Sequence, residues 1–78
     1  MPNVGEREVA EVKAEGKHLR LFSECTMTGF MALVYDMGKK QAIIYEMVDS
    51  FDDGKQKCEE CAKGLLNKPA SISWVHQP

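Results

Sequence analysis

A chain of 78 residues, 44% hydrophobic and 28% charged, has room for one domain and one small core; this composition excludes a disordered tail and a disulfide-built scaffold. A formal net charge of -2 gives no bulk attraction to nucleic acid or to an anionic membrane, and no apolar run approaches the roughly 18 residues that a membrane span needs. Three cysteines fit reduced thiols better than paired ones. With a glutamate-rich start that lacks the apolar centre of a signal peptide, they lead to the expectation of a cytoplasmic protein.

The first element, Gly5 to Glu15, carries two patterns. Its Val, Ala and Glu residues suit a short helix, whereas Val4, Ala10, Val12 and Ala14 suit a strand ending at the Glu15-Gly16-Lys17 turn. The strand is preferred because two short strands around a glycine turn extend the sheet begun further on. Lys17 to Glu24 reads as the next strand, with Leu19 and Leu21 on one side and Arg20 and Phe22 on the other. Cys25 to Gly29 reads as a loop. From Gly29 to Met47 the alternation predicts a hairpin about the Gly38-Lys39-Lys40 turn, with apolar residues on both faces of its strands. Ser50 followed by Asp53 resembles a capping box, and Phe51, Cys58, Cys61, Ala62 and Leu65 recur at helical spacing, predicting a helix over 51–66. Asn67-Lys68-Pro69 is its stop signal. Ile72, Trp74 and His76 then alternate with Ser71, Ser73 and Val75 as a short strand or extended tail. The expected fold is α+β: one domain over 1–78, an antiparallel meander of three to five strands with one helix on one face, and tails at 1–4 and 76–78.

The spacing Cys58-Glu59-Glu60-Cys61 is the one motif-like feature. Redox pairs place the first thiol at a helix N-terminus, where the dipole lowers its pKa, but Cys58 falls about two turns inside, beside two acids that raise it. As zinc ligands, Cys58 and Cys61 lack a second pair; Cys25, His18 and His76 are scattered. Packing under the sheet is the preferred reading, and no metal or cofactor is expected. No set of polar residues converges as a catalytic site would, so the chain is expected not to be an enzyme.

If Gly5 to Glu15 were helical, the order would be α-β-β-β-α. The run from Gly54 to Lys63 then resembles the second helix of double-stranded-RNA-binding domains, in which a glycine and following lysines set a basic helix start across groove phosphates. Gly54, Lys55 and Lys57 match the basic start, and Cys61 and Ala62 the small residues behind it. That resemblance implies RNA binding through Lys55, Lys57 and Lys63.

Protein binding ranks above it. Five methionines, four of them in or beside the hairpin (Met27, Met31, Met37 and Met47), join Tyr35, Tyr45 and Trp74 to give the sheet more large apolar side chains than one helix covers. A protein partner or a second copy is expected to cover the rest. The acids Asp49, Asp52, Asp53, Glu59 and Glu60 around the helix start suit a basic partner surface. In size, charge and expected build, the chain resembles the compact proteins with which phages and mobile elements inhibit host machinery, which implies a small acidic inhibitor or regulator. The residues expected to bind protein are Tyr35, Tyr45, Met47, Asp49, Asp52, Asp53 and Trp74.

Overall fold

The computed structural model of the chain describes residues 3–66 and 72–78. Its order is β1 (Arg7–Ala14), β2 (Lys17–Thr26), β3 (Gly29–Asp36), β4 (Gln41–Val48), α1 (Phe51–Leu65) and β5 (Val75–Gln77). The strands form one antiparallel sheet in the order β4-β3-β2-β1-β5, and α1 lies across one face, chiefly over β2 and β3. This is an α+β domain.

Tight turns make the meander. Glu15 (φ 54°) and Gly16 (φ 77°) both take left-handed conformations, the geometry that lets a two-residue turn match the twist of its strands. The ambiguous first segment is therefore a strand, paired along its length from Arg7↔Glu24 to Ala14↔Lys17. The α-β-β-β-α arrangement does not form, because Ala10 and Val12, at strand spacing, both point into the core. The expected loop from Cys25 to Gly29 is also shorter: Cys25 pairs with Phe30 and Thr26 with Gly29, leaving Met27 and Thr28 as the turn. Thr26 holds that turn with its hydroxyl, which donates to the Gly29 carbonyl (3.1 Å) and accepts from the Thr28 amide (3.3 Å). In the third turn the Asp36 carboxylate accepts from the amides of Gly38 and Lys39, each at 3.0 Å.

The helix begins where the capping residues require. Ser50 Oγ accepts from the Asp53 amide at 3.1 Å, and Asp52 and Asp53 occupy the positive end of the helix dipole. It stops one residue before the expected end, because Leu66 is extended while its amide still bonds the Ala62 carbonyl. The stop signal at Asn67-Lys68-Pro69 lies outside the described residues. Of the two readings for the last segment, a strand forms: Val75, His76 and Gln77 pair with Val9, Glu8 and Arg7, so the segment expected to trail as a tail from residue 76 is held to β1.

The core is built from small and medium side chains. Ala10, Val12, Leu19, Leu21, Ala32 and Val34 come from the sheet, and Cys58, Ala62 and Leu66 from the helix side. Close packing follows from this choice. Gly54 is buried in α1 opposite Ser23 of β2, and a β-carbon on Gly54 would lie 2.2 Å from Ser23 Oγ. The Ser23 hydroxyl donates to the Phe51 carbonyl at 2.9 Å, satisfying a buried polar group while fixing the first turn of α1 to the sheet.

Candidate functional site: the open face and edge of the sheet

Antiparallel register decides which side chains share the face that α1 leaves open. Paired residues point the same way, so Val75, Val9, Phe22, Leu33 and Tyr45 form one row across all five strands, with Arg7, Glu24, Met31 and Met47 in the row beside it. At strand spacings of about 4.8 Å the apolar row spans about 20 Å. Its ends stand furthest into solvent, Tyr45 at 64% exposure and Val75 at 59%, with Met47 at 52% next to Tyr45. Between them, Arg20, Phe22, Leu33, Tyr35 and Met37 line a shallow, almost wholly apolar hollow.

The charges flanking the apolar row are paired with one another. Arg7 pairs with Glu24 at 3.5 Å, and Glu11 takes the Arg20 Nε at 3.0 Å and His18 Nε2 at 3.3 Å. Hydrogen bonds from Arg20 and then His18 hold the Glu11 carboxyl below its ordinary pKa. An apolar row bounded by internally neutralised pairs offers an area to desolvate without stranding a charge.

Of the residues expected to bind protein, Tyr35, Tyr45 and Met47 come together here. Trp74 does not join them: it packs against the core on the helix side, where its indole N–H donates to Glu59 at 2.8 Å. The acids divide as well. Asp49 and Asp53 line a shallow depression beside the end of β4 with Met47, Gln56, Lys57 and Glu60, whereas Asp52 is bound to Lys55 at 3.4 Å. Sequence reasoning missed Val9, Leu33 and Val75 as members of the row, although the alternation that places Phe22 opposite Leu21 carries the same signal.

Two of the expected RNA-binding lysines are engaged within the chain. Lys55 bridges Glu8 (3.2 Å) and Asp52, and Lys57 pairs with Glu46 (3.1 Å); Lys63 stands exposed in the last turn. Burial pulls the Lys55 pKa down, but its bonds to Glu8 and Asp52 outweigh that and leave it raised. Lys55→Ala is therefore expected to destabilise the fold by about 1–2 kcal/mol in urea denaturation, because Glu8 keeps a half-buried charge without its partner, while Lys63→Ala stays within about 0.5 kcal/mol. Equal midpoints for the two variants would contradict this role. Gly54, the start of the RNA-domain resemblance, is buried against Ser23 of the sheet and is not an exposed phosphate-facing residue.

The cysteines are free thiols. Cys58 is fully buried, its single S–H within reach of the carbonyls of Phe22 (3.3 Å) and Leu33 (3.5 Å), and burial pushes its pKa up to about 11. Cys61 is half-buried, and burial together with the charge of Glu46 raises it too. Both shifts oppose thiolate chemistry. Among the described residues no three His, Cys, Asp or Glu side chains are grouped to hold a metal ion, and no helix is long and apolar enough to cross a membrane.

No protein family, curated protein or solved structure matches this chain.

Proposed function

We propose that the chain is a non-enzymatic protein-binding module that acts through the open face of its sheet. The observation that carries this reading is the row Val75, Val9, Phe22, Leu33 and Tyr45, uncovered by the helix and bordered by neutralised ion pairs. A partner with a complementary apolar surface gains from desolvating the row and meets no net charge along it. Tyr45 and Met47 are the anchors: both are large, both are exposed, and they sit side by side on β4. Three free thiols suit a reducing compartment, and the cytoplasmic setting belongs to this proposal.

The experiment is affinity capture with nuclease treatment, comparing wild type with Tyr45→Ala/Phe22→Ser on the open face and Lys63→Glu on the helix. Wild type and Lys63→Glu are expected to retain the same near-stoichiometric protein, and the open-face variant to lose it by at least about tenfold. Recovery that vanishes with nuclease or with Lys63→Glu would replace this reading with an RNA-binding one.

A further inference from the structure

The two edges of the sheet are treated differently. On one side the outermost strand is β5, only three residues long and paired with Arg7 to Val9 of β1. On the other side β4 presents eight residues, Gln41–Val48, with an unpaired outer edge and neither proline nor lysine within the strand. Natural edges are ordinarily guarded by such residues, because an open row of amides and carbonyls pairs with any strand that reaches it. Here the one charged residue, Glu46, is held by Lys57 on the helix side. A bulge at the start of β4 leaves Ile44 to Val48 as the regular stretch.

The ends of β4 carry opposite charge. Lys39 and Lys40 precede it, and Asp49, Asp52 and Asp53 follow it; all are exposed. Among the described residues neither the Lys39 nor the Lys40 ammonium forms an ion pair, and neither the Asp49 nor the Asp53 carboxylate does. A strand that is basic at its start and acidic at its end is self-complementary when laid antiparallel to a copy of itself. We infer that β4 pairs with β4 of a second copy of this chain across a two-fold axis, joining two sheets into one of ten strands. Whichever residue from Ile44 to Glu46 lies on the axis, Lys39 and Lys40 of each copy come alongside the Asp49-to-Asp53 segment of the other, and the contact is made twice. On the open face Tyr45 and Met47 of one copy border those of the other. This goes beyond the partner proposed for the open face and does not depend on it, because edge pairing leaves that face uncovered and makes its apolar row continuous through both copies.

The test is sedimentation equilibrium between about 5 and 300 µM, with circular dichroism to verify folding of each variant. Wild type is expected to form a dimer that weakens as salt rises. Lys39→Glu/Lys40→Glu and Asp49→Lys/Asp53→Lys are each expected to weaken self-association about tenfold, since like charges then meet at both ends. Mixed in equal amounts, these two variants are expected to form a heterodimer, because each supplies the charges the other lacks at both contacts. A wild type that stays monomeric across the range overturns the inference, as does dimerisation unaltered by either charge reversal. A mixture no more associated than its components removes the antiparallel arrangement. Loss of the open-face partner with the wild-type dimer intact bears on the proposed function alone.

Discussion

Gly54→Ala is expected to destabilise the protein by about 2–3 kcal/mol, even though alanine is the better helix former by about 1 kcal/mol. The added methyl would stand 2.2 Å from Ser23 Oγ and 3.0 Å from Ser23 Cβ, and 3.4 Å from a methyl of Val48. Neither direction of relief is free. Turning the hydroxyl away breaks its bond to the Phe51 carbonyl in a site with no water access, and lifting the helix withdraws Cys58 and Ala62 from the core. For a domain of this size the loss corresponds to a fall in Tm of about 10–20 °C. Ser23→Gly removes both crowding atoms, so the double variant Gly54→Ala/Ser23→Gly should recover part of the loss. Thermal melts of the wild type, both single variants and the double variant measure that coupling. Additive losses would mean that the two positions do not press on each other.

The second large effect is chemical. With its thiol raised from 9.0 to about 11, Cys58 at pH 8 carries about a hundredfold less thiolate than an unshifted cysteine, and its sulfur is inaccessible besides. Labelling by a disulfide reagent, followed peptide by peptide in a mass spectrometer, should leave Cys58 at least about a hundredfold slower in the native protein than in urea, with half-buried Cys61 modified first. Native Cys58 reacting as fast as Cys61 would revive a thiol function. The same shift gives a direction with pH. The unfolded thiol loses its proton near pH 9.0 while the folded one keeps it to about 11, so the stability this group contributes is whole below pH 9 and declines between those values.

Much of the fold is legible in local pattern because each meander strand pairs with its neighbour in the chain. The alternation of Leu19 and Leu21 with Arg20 and Phe22 separates core from open face, and the spacing of Cys58, Ala62 and Leu65 identifies the helix side that meets the sheet. The same alternation puts Tyr35, Tyr45 and Met47 among the candidate binding residues. What is not legible depends on partners distant in sequence. Gly54 reads as the start of a phosphate-binding motif until Ser23 is seen beneath it, and Lys55 and Lys57 read as free cations until Glu8 and Glu46 are brought to them by pairing. Trp74 alternates like a sheet residue, yet its position is governed by Glu59 across the helix flank. The first strand is ambiguous in sequence for another reason. Val, Ala and Glu at that spacing satisfy both periods, and only pairing with β2 decides between them.

The fifth strand differs from the other four in how the chain must reach it. Strands β1 to β4 join through tight turns, so closing each hairpin orders few residues, whereas β5 meets β1 only after the helix has been laid across the sheet. Closing that long loop costs entropy that three paired residues scarcely repay. β5 is therefore expected to open before the meander and helix, which native-state hydrogen exchange would register as the fastest-exchanging strand amides at Val75–Gln77. In the native protein β4 is one edge, and the three-residue β5 with the uncovered stretch of β1 beyond Val9 is the other; release of β5 would lengthen that second edge by Arg7, Glu8 and Val9. At high concentration that lengthened edge, opposite β4, is where a chain with two pairing sides can begin to extend without limit.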